Sequence, residues 1–166
     1  MNEGNERTQM TGQILHSQLL KQYRLTVLQN NEDFSMEELQ NQPEYQSVLQ
    51  GFSISQDILM YTEKPCPTIR QYEYFTLEVI QRLAHCSNPC LIVDLRNVKI
   101  PDAKSRSKLR SELEYLSEVL THYAVVVGAD MQLKIAAKFI YQSLDVSFSF
   151  STHSTPEEAV AYCKRL

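Results

Sequence analysis

Four basic side chains stand at alternate positions in the segment KSRSKLR, and together they form the chain's clearest chemical signal. They are Lys104, Arg106, Lys108 and Arg110. Asp102 precedes them and is a good N-cap, so a helix that begins there carries all four cations in its first two turns. A helix N-terminus is already partially positive and usually collects Asp and Glu. Free backbone N–H groups and cations together favour a phosphate, a carboxylate or an acidic protein surface.

The same charges also allow a purely structural interpretation. Lys108 and Glu112, like Arg110 and Glu114, are separated by four residues, so each pair lies together on a helix surface. On this interpretation the segment is a solvated helix face. The alternative is an anion site made by Lys104, Lys108 and Arg106. The residues alone leave both open.

A metal site is the next kind of chemistry that the residue types suggest. Cys86 and Cys90 are separated by three residues, and His85 stands beside the first. Zinc sites usually show a second ligand pair at comparable spacing, and the remaining cysteines, Cys66 and Cys163, do not form one. We therefore predict no metal and no cofactor.

Catalytic groups are present as residue types but not in a recognisable arrangement. A nucleophile needs a positioned base. The candidate bases are His85, His122 and His153, and the sequence places none of them beside a nucleophile. Asp94 and Asp102 follow a predicted strand closely enough to support acid–base chemistry. A helix cap for Asp102 and a loop hydrogen bond for Asp94 are the simpler interpretations. The sequence therefore predicts no catalytic residue and a protein that is not an enzyme.

Composition narrows the class of protein further. The 166 residues are 43% hydrophobic and 22% charged, with a net charge of −4, which suits a globular protein and disfavours wholesale nucleic-acid binding. The four glycines are scattered, so no glycine-rich loop for nucleotide phosphates is predicted. No apolar run approaches the roughly 20 residues that span a bilayer, and the polar N-terminus is unlike a signal peptide. We expect a cytoplasmic protein with reduced cysteines and no membrane partner.

The elements divide the chain into three parts. Residues 1–12 are predicted to be disordered, and residues 13–51 to form a mostly helical N-terminal extension. Its helix begins near Ile14 and reaches Leu28, although the segment YRLTVLQ is also compatible with a strand. Ser35 and Glu38 then form a capping box for a short helix.

Residues 52–166 alternate between predicted strands and helices. The strands are DILMYTE, CLIVDL, YAVVVG and VSFSFS, of which the second and third read as buried on both faces. Helices follow each strand, and the one from about Met131 to Leu144 is predicted to face inward through Ile135, Phe139 and Ile140. This order indicates an α/β domain with an open sheet of about four to five strands and helices packed against it.

Residues 56–166 resemble the STAS or SpoIIAA-like domain of bacterial anti-sigma-factor antagonists. The resemblance is clearest in the segment LIVDLRNVKIPDAKS. Asp94-Leu95, Val98, Ile100 and Asp102 hold the places of the family's strand end, hydrophobic loop and helix start. The later segments YAVVVGAD and STPEEAVAYCKRL are also similar. In the antagonists the serine after that Asp is phosphorylated, but the matching position here is Ala103. Ser105 and Ser107 lie nearby without matching it.

The resemblance implies a regulatory domain of bacterial signalling that binds a protein partner. The implied contact surface is the loop and helix start, and comprises Asp102, Ala103, Lys104, Ser105 and Arg106. The alternative is a protein that binds a small apolar or anionic molecule between sheet and helices. The extension is expected to pack on the α/β unit, with a homodimer or partner surface as its alternative role.

Overall fold

The computed structural model describes residues 3–55 and 58–166, with side chains from residue 14 onward. Its helices and strands in chain order are α1 Glu3–Gln29, α2 Met36–Gln40, α3 Pro43–Leu49, β1 Phe52–Ser55, β2 Ile58–Thr62, α4 Ile69–Leu83, β3 Cys90–Asp94, α5 Ala103–Leu116, β4 His122–Val126, α6 Met131–Gln142, β5 Ser149–His153 and α7 Pro156–Cys163.

The five strands form one open sheet in the order β1-β2-β3-β4-β5. β1 pairs antiparallel with β2, and every later pair is parallel. In the central pair Cys90 lies opposite His122, so the two buried stretches predicted from sequence are neighbours at the middle of the sheet. The predicted α/β class and open sheet are confirmed. β1 was not predicted, and β5 begins three residues later than the segment VSFSFS indicated.

The sheet separates two hydrophobic clusters because successive strand residues point to opposite faces. Leu91 and Val93 belong to the large cluster, which includes residues of α1, α3, α4, α5 and α6. Cys90 and Ile92 face the other way and pack with Val160 of α7. One face therefore carries nearly all the helices, whereas α7 alone packs on the opposite side of β3 and β4.

The N-terminal extension shares the main core. Tyr23 and Val27 of α1 are buried in the large cluster, so the segment YRLTVLQ is helical. The predicted capping box is present, since the Glu38 backbone N–H donates to Ser35 Oγ at 3.3 Å and Ser35 N–H donates to Glu38 Oε2 at 2.8 Å. α1 begins at Glu3, so the helix extends into the segment predicted to be disordered. No helix in the described part of the chain is long and apolar enough to cross a membrane.

The orientation of α6 differs from the prediction. Ile140 is buried, but Ile135 and Phe139 are each 63% exposed. The helix has apolar residues on two faces, and the one that packs on the sheet contains Leu133, Ala137 and Ile140. Periodicity alone cannot choose between two apolar faces of one helix, and the prediction that Ile135 and Phe139 face inward was wrong.

Candidate functional site

The loop after β3 and the first turn of α5 form a rim at the carboxyl end of the parallel sheet. We call residues 95–106 the α5 rim. Its backbone is attached to both neighbouring strand regions, since Leu95 N–H donates to the Val126 carbonyl at 2.8 Å and Lys99 N–H donates to the Pro65 carbonyl at 2.9 Å. Open α/β sheets generally bind ligands at this end. The residues predicted to contact a partner therefore lie at the carboxyl edge of the sheet.

The first turn of α5 is capped by the side chain of Asp102. Asp102 Oδ1 accepts a hydrogen bond from Ser105 N–H at 2.8 Å, and the Asp102 backbone is extended, as an N-cap requires. This backbone hydrogen bond lowers the pKa of Asp102, because it stabilises the charged carboxylate. The predicted cap is confirmed. Asp102 thus performs a structural task that does not need a ligand.

The basic residues of the α5 rim do not act alike. Lys104 and its neighbour Ala103 are exposed, whereas Ser105 and Arg106 are half-buried. Arg106 Nη1 donates to the Pro101 carbonyl at 2.7 Å, so this guanidinium holds the loop in place. Lys104 and Arg106 therefore lie together at the rim, but only Lys104 projects freely into solvent.

Lys108, the third predicted anion-binding residue, faces inward. Its Nζ lies 2.7 Å from Glu73 Oε1 on α4 and 2.7 Å from Glu112 Oε1, so the predicted Lys108–Glu112 pair is present. The Tyr23 hydroxyl of α1 donates to Glu112 Oε2, and Asn30 Nδ2 donates to Glu73 Oε1 at 2.8 Å. Both carboxylates raise the pKa of Lys108, although burial opposes them. The Lys108 ammonium is already paired with two carboxylates, so it is not available to bind an anion at the rim.

An apolar side chain stands among the exposed charges of the α5 rim. Ile100 is 50% exposed, and Lys99 and Lys104 are exposed near it in the chain. Arg96 contributes less charge, because its Nη2 lies 2.7 Å from Asp94 Oδ2. The exposed surface combines one large apolar side chain with two lysines. Ile100 entered the sequence interpretation only as part of the resemblance, and its exposure was not predicted.

A small apolar cavity of about 60 Å³ lies between the sheet and the helices α4, α5 and α6. Its walls come from these helices, from three strands and from the α5 rim itself. The rim residues that line it are Leu95, Val98 and Pro101. The rest of the wall includes Tyr72, Phe75, Leu109, Leu113, Tyr123, Leu133, Ala136, Ala137 and Ile140. The rim therefore covers an apolar space as well as presenting charges outward.

One ionisable carboxyl group lines this cavity. Glu63 directly follows β2 and is only 8% exposed. Burial raises the pKa of Glu63 to about 7, although a hydrogen bond from Lys64 N–H at 2.9 Å and the Tyr61 side chain favour the charged form. Burial also raises the pKa of Tyr72, with Glu63 as a second cause. Sequence reasoning missed Glu63, although its place after a strand at the carboxyl edge was a usable signal.

A second polar cluster lies between β4, β5 and α7. Ser151 Oγ is 2.8 Å from His122 Nε2 and 2.7 Å from His153 Nε2, and His122 Nδ1 contacts Ser149 Oγ. Burial lowers the pKa of both histidines, and His153 lowers that of His122 further. The Tyr162 ring of α7 packs beside both imidazoles. The sequence analysis considered the two histidines but found no partner for them. The pairing of β4 with β5 brings Ser151 to both of them.

The cysteines are dispersed. Cys86 is exposed at the end of α4, whereas Cys90 is buried in β3 beside Cys163 of α7. All four thiols, including the exposed Cys66, are free. Among the side chains of residues 14–55 and 58–166, no three His, Cys, Asp or Glu side chains converge on a possible metal position.

Comparison of the chain with models of protein families, with curated proteins and with solved structures found no match. The class of protein is therefore defined by the fold alone. It is an α/β protein with a five-stranded mixed sheet and an N-terminal helix that packs on the helical layer.

Proposed function

We propose that this protein is a non-enzymatic regulatory domain of bacterial signalling that binds a protein partner through the α5 rim. The resemblance to STAS and SpoIIAA-like domains motivates the proposal. The observation that carries it is the exposure of Ile100 between Lys99 and Lys104. Protein–protein contacts have an apolar centre and a polar rim, and Ile100 between two exposed lysines has this arrangement.

The charges of the rim indicate the chemistry of the partner. Lys99 and Lys104 form no ion pair with other described residues. An acidic surface with an apolar depression for Ile100 would complement them. Because Ala103 replaces the serine that the antagonists phosphorylate, a phosphate switch would need another residue. Ser107 is exposed on the next turn, and a phosphate there would reduce the positive charge of the rim.

Charge reversal at the rim tests the proposal. The variant K99E/K104E changes two exposed side chains and leaves the Arg106 bond to the loop intact. The control K21E/K164E makes the same change in net charge at exposed positions far from the rim in sequence. Tagged proteins would be recovered from the native host, and a photo-crosslinking residue at position 100 would identify what touches the rim.

We expect wild-type protein and the control to retain one crosslinked partner, and K99E/K104E to lose it. The proposal fails if the crosslinker captures nothing reproducible, or if the rim variant retains every partner of the wild-type protein. A crosslinked partner with a basic contact surface would also contradict it.

The cavity favours a second candidate function, the binding of a small apolar molecule. The walls are apolar apart from Glu63 and nearby tyrosines, so an anionic ligand is disfavoured and a neutral molecule with a donor group is favoured. A volume of about 60 Å³ admits only a few heavy atoms without movement of the rim.

Ligand-observed NMR with small alcohols and primary amides on the full chain tests this function. Ala137→Val narrows the cavity, and the matched control Ala161→Val changes an exposed position on α7. Binding to wild type and control but not to the cavity variant supports the function. Equal binding to all three proteins, or to none of them, excludes it.

A further inference from the structure

α6 carries an apolar stripe on its outer face. Met131, Ile135 and Phe139 are each 63% exposed and follow one another at four-residue spacing, so they lie along one side of the helix. We call these three residues the α6 stripe. The opposite side of α6 packs on the sheet through Leu133 and Ile140. Contiguous exposed apolar side chains of this size mark an interaction surface.

Within α6 the charge beside the stripe is positive, and the exposed carboxylate nearest to it is the N-cap Asp130, which accepts from the Leu133 N–H. Lys134 and Lys138 stand on α6 at four-residue spacing, and the helix contains no acidic residue. Neither lysine forms an ion pair within the part of the chain that the structure describes. A surface that covers the stripe must therefore supply apolar side chains together with carboxylates.

The same chain contains a groove between α1 and α5 whose lining includes apolar side chains and carboxylates, together with the polar residues His16, Gln18, Gln22 and Ser111. Its volume is about 710 Å³, and its apolar lining includes Leu15, Leu19 and Tyr115. Leu15 is 61% exposed, whereas Leu19 and Tyr115 are half-buried. Glu114 and Glu118 of α5 also line the groove, and both are exposed. They are four residues apart, which is the spacing of the two lysines on α6.

We propose that the α6 stripe of one copy docks in the α1–α5 groove of a second copy. The carboxylates of Glu114 and Glu118 then face Lys134 and Lys138 in register, with apolar side chains between them. Docking of one stripe on another is disfavoured, because it brings lysines of the two copies together. α5 and α6 belong to the same helical layer. A two-fold dimer can therefore make the contact twice.

Charge reversal on each side separates this contact from any other. The first variant is K134E/K138E, in which acidic residues flank both the stripe and the groove. The second is E114K/E118K, in which lysines flank both surfaces. In a mixture, each variant's stripe is complementary to the other variant's groove. Sedimentation equilibrium of the full chain over a range of concentrations measures self-association of each variant and of the mixture. K164E/R165E is the control for net charge, because both positions are exposed and lie outside the α6 stripe and the groove.

We expect wild type and control to form dimers, each variant alone to dimerise about 100-fold more weakly or worse, and the mixture to regain wild-type affinity. A wild-type protein that remains monomeric at every concentration overturns the proposal. So does a dimer that tolerates both reversals, or a mixture that fails to associate. Because the α5 rim is unchanged in these variants, the partner capture described above is tested independently.

Discussion

Lys108 on α5 places its ammonium nitrogen 2.7 Å from a carboxylate oxygen of Glu73 on α4. Glu112 lies at the same distance on the other side, and the Tyr23 hydroxyl of α1 donates to Glu112. Three helices thus meet at one buried charge cluster. This relationship explains one of the unexpected cations near the start of α5. Lys108 pairs with two buried carboxylates, and the hydrogen bond from Tyr23 to Glu112 links the N-terminal extension to the α/β unit.

Replacement of Lys108 by methionine should destabilise the protein strongly. The variant leaves Glu73 and Glu112 buried without their common cation, and removal of one partner from a buried pair typically costs about 3–5 kcal/mol. Urea denaturation followed by circular dichroism measures the free energy of unfolding. The control Lys104→Met removes an exposed cation from the same helix and should change stability by less than about 0.5 kcal/mol. Equal effects of the two substitutions would contradict the role given to Lys108.

Tyr23→Phe should loosen α1 specifically. The substitution keeps the buried ring and removes the hydroxyl that donates to Glu112, and a hydrogen bond to a charged group is worth about 1.5–3 kcal/mol. Hydrogen exchange should show faster exchange of α1 amides, with a smaller change in the sheet. Tyr115→Phe is the control, because its ring packs against Tyr23 at a centroid distance of 4.9 Å. Unchanged α1 protection in Tyr23→Phe would show that ring packing alone holds this helix.

Glu63 should make stability fall as the pH rises. The pKa of this carboxyl is raised from 4.5 to about 7 in the folded protein, so the fold binds a proton that the unfolded chain has already released. The stability contribution is complete below about pH 4.5 and is lost as the pH passes 7. Two to three pKa units correspond to about 3 kcal/mol. Urea midpoints at several pH values would measure it.

Glu63→Gln isolates this carboxyl, since glutamine stays neutral throughout the range. The difference in stability between wild type and variant should change across pH 4.5–7 and be constant above it. A constant difference across the whole range would mean that the pKa of Glu63 is the same in the folded and the unfolded protein.

The histidine cluster should act in the opposite sense. Burial holds the pKa values of His122 and His153 below 6.5, so on acidification the unfolded chain takes up protons that the fold resists. This contribution is present above about pH 6.5 and is lost as the pH falls through the lowered values. The variant H122Q/H153Q should lose stability less steeply than wild type on acidification. Parallel acid profiles of the two proteins would contradict the assignment.

Local interactions account for what could be predicted. The capping residues Ser35 and Asp102 each accept from a backbone N–H three residues later, so a short window of sequence contains the whole interaction. The central strands could be predicted equally well from the sequence, because runs of β-branched and apolar residues such as CLIVDL indicate burial on both faces. β1 was missed, since it has only four residues and two of them are exposed.

The candidate sites depended on residues far apart in the chain. Glu73 precedes Lys108 by 35 residues, and no local pattern indicates that their helices pack together. Glu63 became notable only when three helices and the rim enclosed a cavity beside it. The exposure of the α6 stripe could not be predicted for the same reason. The helix has two apolar faces, and only one of them packs on the sheet.

The sequence by itself determined the order of helices and strands from β2 to α7, the central position of two strands and several of the caps that begin the helices. Those features depend on contacts between near neighbours and on the periodicity of apolar residues. The tertiary structure alone decided which lysine is buried, which carboxyl lines the cavity and which face of α6 remains exposed. These outcomes depend on which surfaces fit together once the sheet has formed, and that fit involves residues from every part of the fold.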